Sequence, residues 1–543
     1  MKDSQPNPEV VIVGAGPSGL TAALQLAVYG IRFRIFDKKK TFSENSRAVG
    51  IQARSLELFE QMGLVQDILA KGRKAFGLDL HTENRVLQLN LFKAGRDETA
   101  YPFVFLLEQN ETEKILARHL NESGHEIEWA SEITALDVRD GGVSVQVRTK
   151  EREETVHARW LVAADGAGSF TREHLDVPFV GGTYEQSFAV ADVKALEGRL
   201  EQDHVNLNFN RSGFVLLLPL AAKGVYRLVT NFPPGFEHKE PEFEDIQRHT
   251  GRIFPGGLRI AEPEWYSNFR IQSRSVRHFR QGPIFFVGDA AHIHSPVGAQ
   301  GMNTGIQDAY NLAWKLALVA KGALPEQALE TYHQERFPVA QRLLSTTDRI
   351  FQLVTRQNIL TTTLRVHVFP RLLKLLVGLP TVRQWAFRIV SQLGIRYDKG
   401  MLVRDDGNGF PNSAPRPGQR MPYVFFGRNG ESVSSYSLFD PRKHHLLLFA
   451  PDENQCLLAA KTVTALRKEL AADWIEAHVI APKTLKSSGE AQLICDPEVF
   501  AKFAGRQAIS YLIRPDTYIA FRCPSLSPTD FQKAFHCYLN GSD

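Results

Sequence analysis

The stretch that decides the fold is Val10-Val11-Ile12-Val13 followed by Gly14-Ala15-Gly16-Pro17-Ser18-Gly19. A short run of β-branched residues is typical of a buried parallel strand. In such a loop, Gly14 permits a tight turn, Gly16 lets the backbone approach a pyrophosphate, and Gly19 lets the next helix pack on the strand. The N-terminus of that helix favours an anion. The sequence therefore predicts the start of a dinucleotide-binding βαβ unit.

A second strand and an acidic residue follow in the order that a nucleotide site requires. Residues 20–29 are predicted as a helix that Gly30 ends, and residues 31–36 are predicted as a strand. Asp37 closes this strand, where its carboxylate can accept hydrogen bonds from a ribose, and Lys38 follows it. A glycine-rich turn in an unrelated βαβ unit is the alternative. The complete order of strand, loop, helix, strand and acid favours the nucleotide site.

Composition and charge exclude several classes of protein. The 543 residues carry 64 basic and 60 acidic side chains and no basic block, which gives no case for nucleic acid binding. We expect no signal peptide and no membrane span, because no uncharged apolar run reaches the roughly 18 residues that a span needs. No CxxC and no zinc-type Cys/His spacing occurs, so we predict no metal site. We also predict a cytoplasmic protein whose cysteines are free thiols: Cys456, Cys495, Cys523 and Cys537.

Two further motifs lie downstream of the glycine loop. The first is Ala164-Asp165-Gly166-Ala167-Gly168-Ser169 with Arg172. The second begins with a predicted strand over residues 284–287 and leads into a long helix predicted over residues 299–321. Its motif residues, from the end of the strand into the start of the helix, are Gly288, Asp289, Ala290, Ala291, His292, Pro296, Gly298, Gln300, Gly301, Met302 and Asn303. A carboxylate at a strand end can hold sugar hydroxyls, and the free N–H groups of a helix start can face an anionic ring. Together with the glycine loop, this motif indicates a flavin.

These three motifs, in this order, resemble those of the single-component FAD-dependent aromatic hydroxylases, the family typified by para-hydroxybenzoate hydroxylase and phenol hydroxylase. The likeness covers roughly residues 8–345. It implies an α/β fold with a Rossmann-like FAD-binding domain, an inserted mixed β-sheet for the substrate and a helical segment. The segment Arg514-Pro515-Asp516-Thr517-Tyr518 with Arg522 is similar to the thioredoxin-like tail of the phenol-hydroxylase branch. Because that tail lacks CxxC here, we expect it to be structural.

The domain organisation is predicted from these motifs and from shifts in composition. Residues 1–75, 101–182 and 280–345 are predicted to form a discontinuous FAD-binding domain. Residues 76–100 and 183–279 are predicted to form the substrate-binding sheet domain. A separate β-meander is predicted over residues 126–162. Residues 346–404 are predicted as a helical segment that packs between domains, with an amphipathic surface anchor as the alternative. Residues 405–424 are predicted as a linker and residues 425–543 as the thioredoxin-like domain.

The resemblance also implies which residues form the site. The predicted cofactor-binding residues are Gly14, Gly16, Pro17, Ser18, Gly19, Asp37, Lys38, Arg47, Gln109, Asp165, Gly288, Asp289, Pro296, Gly298, Gly301, Met302 and Asn303. Pro296 would line the reactive face of the flavin, with a plain loop proline as the alternative. His292 is a candidate base, with a hydrogen-bonded structural histidine as the alternative. The predicted substrate-binding residues are Arg211, Phe214, Leu216, Leu218 and Tyr226, of which Tyr226 is also a catalytic candidate.

The resemblance implies a hydroxylation cycle. NADPH or NADH would reduce FAD as a transient reductant, O2 would add to give a C4a-hydroperoxide, and one oxygen would pass to an electron-rich aromatic carbon. Phenol hydroxylases carry an aspartate in the stretch that corresponds to residues 47–54, and this chain has none there. We therefore favour a larger, polycyclic or polyketide-like aromatic over a simple phenol, and a homodimer is one expected assembly. The alternatives are an oxidase or reductase, a halogenase whose WxWxIP segment is missing here, and a non-catalytic FAD-binding interaction protein.

Overall fold

The computed structural model of the chain describes residues 7–43, 48–82, 85–139, 141–197, 200–210, 213–232, 241–254, 258–263, 265–295, 298–355, 369–398, 400–405, 409–412, 414–428, 431–470, 474–483 and 492–540. The strands are β1 Val10–Val13, β2 Phe33–Asp37, β3 Gly50–Ile51, β4 Arg73–Ala75, β5 Gly77–Thr82, β6 Arg85–Leu89, β7 Val104–Leu106, β8 Ile127–Trp129, β9 Glu132–Arg139, β10 Gly142–Arg148, β11 Glu153–Ala158, β12 Trp160–Ala163, β13 Phe179–Glu197, β14 His204–Phe209, β15 Phe214–Pro219, β16 Val225–Phe232, β17 Arg259–Ile260, β18 Tyr266–Val276, β19 Arg280–Gln281, β20 Ile284–Phe286, β21 His292–Ile293, β22 Phe425–Arg428, β23 Glu431–Ser434, β24 His444–Phe449, β25 Ile475–Ala481, β26 Gln492–Cys495, β27 Ile509–Ile513 and β28 Ile519–Cys523.

The helices alternate with the strands in the first and last parts of the chain. They are α1 Pro17–Val28, α2 Ala53–Gln61, α3 Val65–Leu69, α4 Gln109–Glu122, α5 Phe170–His174, α6 Phe243–Ile253, α7 Gly301–Ala320, α8 Glu330–Thr355, α9 Phe369–Gly378, α10 Pro380–Val390, α11 Ser435–Leu438, α12 Glu453–Leu470, α13 Pro497–Ala504 and α14 Pro528–Asn540. Short 3₁₀ helices span Leu91–Gly95, Gly288–Ala290 and Glu326–Leu329.

The first motif lies at the centre of a six-stranded sheet, in the order β19-β20-β12-β1-β2-β8. Strand β1 pairs in parallel with β2 on one side and β12 on the other. All four of its residues are buried, as expected for a strand covered on both faces. The predicted strand, glycine loop, helix and second strand are thus confirmed. The three strands β12, β1 and β20 also bring the starts of all three sequence motifs to one end of the sheet.

The predicted β-meander is wrong in its two ends. Strand β8 pairs in parallel with β2, and β12 pairs in parallel with β1, so both belong to the six-stranded sheet. Only β9, β10 and β11 form the separate antiparallel sheet. Four short strands in succession look like a meander from their alternation alone, because periodicity does not show which strand is the partner.

A second sheet, inserted between the FAD-type motifs, has eight strands in the order β21-β18-β13-β16-β15-β14-β5-β6, with β17 paired to β13. Strands β14 and β5 are parallel and the other neighbours antiparallel, so the sheet is mixed as predicted. Helix α6 covers one face, where Ile246 and Ile253 pack with Val215, Leu217 and Leu228. The opposite face carries a second apolar cluster. One face of the sheet is therefore covered by α6, and the other face, which α6 does not cover, carries the second apolar cluster.

The C-terminal part is a five-stranded sheet in the order β26-β25-β24-β27-β28, with α12, α13 and α14. Strands β24, β25 and β26 are parallel, and β27 and β28 are antiparallel to their neighbours. The described parts of the predicted linker, residues 405–424, are packed against the rest of the protein. The Arg420 side chain is 7% exposed and donates to Glu57 at 3.0 Å and to the carbonyl oxygen of Glu98 at 3.0 Å, and Met421 is fully buried. The thioredoxin-like identity of this part remains a prediction.

The helical segment contains α9 and α10, and α10 is attached to the sheet domain. Phe387 of α10 is buried edge-on against Phe92 at 6.2 Å, and its ring lies where a Cβ of Gly95 would be. Among the described helices, none is both long and apolar enough to cross a membrane. None of the four cysteines forms a disulfide among the described residues.

Candidate active site

The glycine loop between β1 and α1 has the packing that a pyrophosphate site requires. Gly14 has φ +101°, and a Cβ there would lie 2.3 Å from the carbonyl oxygen of Ala164. A Cβ at Gly19 would lie 1.9 Å from the carbonyl oxygen of Gly14, so glycine alone lets α1 come this close. At Gly16 the situation is the reverse, because no atom of the described residues lies within 4 Å of a Cβ placed there. The loop is therefore packed tightly against protein atoms at Gly14 and Gly19, and it leaves open space at Gly16.

The two residues after Gly16 differ in what they contact. Pro17 is the first residue of α1, a position where its missing N–H costs nothing. Ser18 lies against the third motif: a Cβ at Gly288 would be 2.5 Å from the Ser18 hydroxyl, and one at Gly305 would be 2.4 Å from it. Ser18 therefore occupies the contact where α1, α7 and the 3₁₀ turn meet, and it joins the first motif to the third.

Asp37 ends β2 beside the glycine loop, as predicted for a residue that binds a ribose. Its carboxylate accepts hydrogen bonds from the backbone N–H groups of Ala15 at 2.8 Å and Lys39 at 2.8 Å. A carboxylate has about four lone-pair sites, so two remain for hydroxyl groups. Lys38 is exposed next to it. Asp37 thus holds the loop in place and still offers acceptors at the open side.

Gln109, at the first position of α4, lies beside the same region. Its backbone N–H donates to the carbonyl oxygen of Ala48 at 3.1 Å, and its side chain donates to Glu113 at 2.7 Å. Burial raises the pKa of Glu113, and Asp37 adds to this, whereas Gln109 and Lys39 oppose it. Glu113 was not predicted from the sequence. In the sequence, the only indication of Glu113 is its position one helical turn after Gln109.

The second motif contains a buried acceptor that lacks a protein partner. Oδ2 of Asp165 accepts from the backbone N–H of Thr171 at 2.9 Å, but Oδ1 is buried and has no partner within the described part of the chain. A buried acceptor of this kind costs about 1–3 kcal/mol unless a ligand or water meets it. Arg172 of the same motif donates to the carbonyl oxygens of Ala167 at 2.6 Å and Ala290 at 3.2 Å. It therefore fastens the second motif to the third.

Asp289 of the third motif is the most informative acid of the site. Its side chain is accessible to solvent, yet the protein around it is dense enough that desolvation raises the pKa of its carboxyl, against the effect of His292. Gly288 before it adopts φ +57° in the turn between β20 and the short strand β21. An accessible carboxylate with dense protein around it suits a ligand with hydroxyl groups.

The start of α7 is fixed by Asn303 to the β3 segment. Its Oδ1 accepts from the backbone N–H of Gln52 at 2.8 Å, and its Nδ2 donates to the carbonyl oxygens of Gly50 and Ala299, each at 2.8 Å. The Gln52 side chain returns a hydrogen bond to the carbonyl oxygen of Gly298 at 3.0 Å. The Asn303 side chain is therefore a clamp, and the groups left for a ligand are the backbone amides of Gly301, Met302 and Asn303 in the first turn of α7. The predicted residues Arg47 and Pro296 lie outside the described residues.

His292 is engaged in a buried ion cluster, which favours the structural histidine over the candidate base. Its Nε2 is 2.8 Å from Oδ2 of Asp308, whose Oδ1 accepts from Arg336 at 2.7 Å. Burial opposes the charge of Asp308, but Arg336 and His292 outweigh it and lower the pKa of its carboxyl. Asp308 also accepts from the backbone N–H of Gly288 at 3.3 Å. The cluster thus holds the third motif against α7, a role that the sequence did not reveal because α8 supplies Arg336.

His294 is expected to make the protein sensitive to acid. Its Nδ1–H donates to the carbonyl oxygen of Ser295 at 2.7 Å, while Nε2 is buried near Gly301 without a partner in the described residues. Burial, and then His292, lower the pKa of His294 to about 4. The folded protein therefore binds fewer protons than the unfolded chain between about pH 6.5 and 4, and the free energy of unfolding should fall by about 1–3 kcal/mol over this window.

Urea unfolding of wild type and His294→Asn at pH 7.5 and 4.5 measures this contribution. Asparagine keeps a donor near the Nδ1 position and does not titrate. We expect the variant to lose less stability than wild type between the two pH values. Equal losses in both proteins would show that His294 is not responsible.

The open face of the inserted sheet turns toward the β3 segment. Phe214, Leu216 and Leu218 share this face, as predicted from their period of two, and register pairs Leu218 with Arg227. Tyr226 points to the opposite face, where it is buried with the α6 cluster and its hydroxyl accepts from Gln202 at 2.8 Å. The prediction that Tyr226 shares a pocket with the three apolar residues is therefore wrong. Arg211 lies outside the described residues.

Arg227 and Asp192 are two polar residues of this open face. Arg227 donates to both carboxylate oxygens of Asp192, at 2.6 and 2.7 Å, and reaches the carbonyl oxygen of Ala48 at 3.4 Å. The Trp265 ring lies 5.4 Å from its guanidinium carbon. Arg227 is fully buried, whereas the Asp192 side chain keeps 20% of its surface. The pair therefore lies between the sheet and the β3 segment, which Asn303 of α7 holds in place. The sequence shows no motif for it.

Comparison with known proteins agrees with this arrangement. The family model described as an FAD binding domain matches residues 7–347. The chain is 35% identical over 528 residues to 6-methylpretetramide 4-monooxygenase from Streptomyces rimosus. The alignment covers 94% of this chain and 90% of that protein. The chain belongs to the FAD-dependent aromatic monooxygenases. Pentachlorophenol 4-monooxygenase from Sphingobium chlorophenolicum, another relative of this monooxygenase, is 33% identical over 64% of each chain.

Solved structures confirm the fold of this monooxygenase. An anhydrotetracycline hydroxylase from Streptomyces rimosus superposes with a TM-score of 0.75 at 25% identity, covering 98% of both chains. A flavin-dependent monooxygenase in complex with FAD and substrate superposes with a TM-score of 0.81 at 19% identity, covering 98% of this chain and 99% of that one. The likeness runs through all parts of the chain, including the five-stranded C-terminal sheet.

The residues of this monooxygenase fit FAD. The open space before Gly16, the Oδ1 of Asp165, the accessible carboxylate of Asp289 and the amides at the start of α7 are four features that the described residues leave available to a ligand. They match the pyrophosphate, the hydroxyl groups and the electron-rich ring edge of a flavin dinucleotide. All four belong to the three motifs that the six-stranded sheet, Ser18, Arg172 and Asn303 hold together.

Proposed function

We propose that this monooxygenase consumes NAD(P)H and O2 to hydroxylate a polycyclic, polyketide-like aromatic. The observation that carries the proposal is the apolar open face of the inserted sheet, which meets the clamped β3 segment beside the FAD-type motifs. Relatives named for 6-methylpretetramide and anhydrotetracycline support the substrate class. The absence of a carboxylate in residues 48–54 favours such a substrate over a simple phenol that an acid would deprotonate.

The chain's own residues would bind, orient and exclude water. Bound FAD supplies the activation of oxygen. The glycine loop and Asp37 would hold the dinucleotide, Asp165 and Asp289 would accept from its hydroxyl groups, and the amides of Gly301 to Asn303 would stabilise negative charge on the ring. Phe214 and Leu216 would give the substrate a dry apolar wall, which also protects reactive species from water. Asp192, which Arg227 holds in place and which keeps 20% of its side-chain surface, would accept a hydrogen bond from a hydroxyl group of the substrate.

Arg227 and Tyr226 are neighbours in the chain on opposite faces of β16, which makes them a matched pair. We expect Arg227→Lys to lower kcat/KM by about tenfold, because lysine cannot form the bidentate contact with Asp192 that orients the side chain. Tyr226→Phe should leave kcat/KM within about twofold, because Tyr226 faces α6. Steady-state kinetics of both variants decides this. A large effect of Tyr226→Phe with none of Arg227→Lys would show that the pocket lies on the α6 face of the sheet, and it would contradict the proposal.

The experiment that tests the proposed function is NAD(P)H oxidation by the FAD-loaded protein. It is measured across a panel of phenols, naphthacene-type quinols and anthracyclic ketones, with product mass. Substrate-accelerated oxidation with a product 16 mass units heavier supports the hydroxylase. Oxidation without oxygen insertion would support an oxidase or reductase, and bound FAD without any acceleration would support a binding role.

Three finer points belong to this proposal. The reductant is NADPH or NADH, which the same assay separates by comparing their KM values. Free cysteines and the need for a nicotinamide supply favour a cytoplasmic protein. A homodimer is the assembly that we expect, and light scattering measures it directly.

A further inference from the structure

We propose that His445, Glu476 and His478 of the C-terminal domain form a binding site for a divalent metal ion of the zinc class. This site lies in the five-stranded sheet and is independent of the flavin chemistry. The three residues lie on adjacent parallel strands, with His445 opposite Glu476 and Leu447 opposite His478. Residues at alternate positions share one face, so all three side chains point to the same side of the sheet. Their ligand atoms lie within 4.8 Å of one another.

The two histidines are unusual members of an apolar core. His445 is 1% exposed and His478 is 0% exposed, on the side of the sheet that carries Leu447, Phe449 and Ile480. Phe439 stacks on the His445 ring at 4.2 Å. Burying two imidazoles among such residues is costly unless their nitrogens are satisfied. A plain hydrogen bond between them is one way, and a shared metal ion is the other.

The hydrogen bonds of His445 prepare its Nδ1 as a ligand. Its Nε2 lies 3.0 Å from the carbonyl oxygen of Asp440, which can only accept, so Nε2 carries the hydrogen and Nδ1 presents a lone pair. A histidine that donates its outer N–H to a backbone carbonyl is the usual arrangement around a bound metal.

The distances suit a tetrahedral ion. Nδ1 of His445 and Nε2 of His478 are 3.1 Å apart. Two zinc–nitrogen bonds of about 2.05 Å at a tetrahedral angle place the nitrogens about 3.3 Å apart. Oε2 of Glu476 is 4.0 Å from Nδ1 of His445, and its side chain is 38% exposed, so a small rotation at the rim brings it into range. Two histidines, one carboxylate and a water complete a four-coordinate set.

An ion here would cross-link two strands of the sheet. It would join β24 to β25 at the end where Asp440 precedes β24, and it would replace the direct His445–His478 hydrogen bond with two metal bonds. The donor set of two imidazoles and a carboxylate suits zinc better than calcium or magnesium, which prefer oxygen ligands. The expected role is structural, because the flavin site is built from other elements.

Zinc binding by the full, tag-free, FAD-loaded protein tests the site. After chelation and dialysis, zinc is titrated in competition with a chromogenic chelator. We expect one equivalent per chain with a micromolar or tighter Kd, and a Glu476→Gln variant that binds about 10- to 100-fold more weakly. Glu453→Gln, an exposed glutamate at the start of α12, serves as the matched control and should bind like wild type. The Glu476 side chain is at the rim, so this variant should fold.

Anomalous diffraction at the zinc edge locates the ion. A peak between Nδ1 of His445 and Nε2 of His478 supports the proposal. No stoichiometric binding, a peak elsewhere, or equal affinity of wild type and Glu476→Gln would each overturn it and leave the histidines as a hydrogen-bonded core pair. None of these readouts depends on hydroxylase activity, so the site can fail while the proposed function stands.

Discussion

Replacing Gly16 with alanine is expected to leave the protein folded and nearly unable to hold FAD. Gly16 has φ −76° and ψ −178°, which any residue can adopt, and no atom of the described residues lies within 4 Å of the added Cβ. The methyl group therefore meets no protein atom, but it stands where a pyrophosphate must approach the loop. A steric conflict of about 3 kcal/mol would raise the Kd of FAD about 100-fold.

Two measurements separate this effect from misfolding. FAD affinity is measured by fluorescence quenching on the apoprotein, and the free energy of unfolding is measured by urea without FAD. Gly427→Ala is the control, because this exposed strand residue also has an open Cβ position but lies in the C-terminal domain. Gly19→Ala should instead lower apoprotein stability, because its Cβ would be 1.9 Å from a carbonyl oxygen. Unchanged FAD affinity in Gly16→Ala would remove the glycine loop from the cofactor site.

The parts of the site that the sequence could predict are those defined by local backbone demands. Gly14, Gly19 and Asp37 carry fixed relations to the strand and helix beside them, so a single stretch of chain specifies their roles. Asp165 and Asp289 likewise follow strand ends. In each case the required geometry is produced by residues within a few positions along the chain.

The parts that the sequence could not predict depend on which distant surface covers a residue. A period of two shows that Tyr226 and Arg227 point to opposite faces, but it does not show that α6 covers the first face. His292 has the residue type of a base, and only the arrival of Arg336 from α8 makes it part of an ion cluster. Asn303 has the position of a flavin ligand, and only β3 shows that its side chain is a clamp. Such partners are about 30 to 250 residues away, a distance across which periodicity carries no information.

The C-terminal domain is joined to the FAD-binding part through a buried cluster of charges. Glu335 of α8 accepts from Arg514 at 2.6 and 2.9 Å and from Lys315 of α7 at 2.7 Å. Arg514 also pairs with Asp516 at 2.6 Å. Burial opposes the charge of Glu335, but Arg514 and Lys315 outweigh it and hold the pKa of its carboxyl below its usual range. The segment noted from the sequence for its likeness to a known tail is thus the contact that docks the domain onto α7.

Removing the shared acid should therefore be severely destabilising. Glu335→Ala leaves Arg514 and Lys315, both 0% exposed, without their common partner. Breaking a buried pair in this way costs about 3–5 kcal/mol, since the remaining charges keep their desolvation penalty. We expect the free energy of unfolding to fall by that amount in urea. Because Lys315 belongs to α7, the helix whose first-turn amides we propose to face the flavin, FAD retention should fall as well.

Glu326 provides the control on the surface. It also bridges two arginines, Arg159 and Arg280, each at 2.8 Å, but its side chain is 44% exposed. Water screens such pairs, so Glu326→Ala should cost less than about 1 kcal/mol. The two glutamates have the same number of cationic partners and differ in burial. If Glu335→Ala were as mild as Glu326→Ala, water would have to reach the cluster, and the C-terminal domain could not be rigidly docked on α7. A large difference would instead mean that α7, the helix that we propose to face the flavin, is held at its far end by a domain that carries no flavin motif.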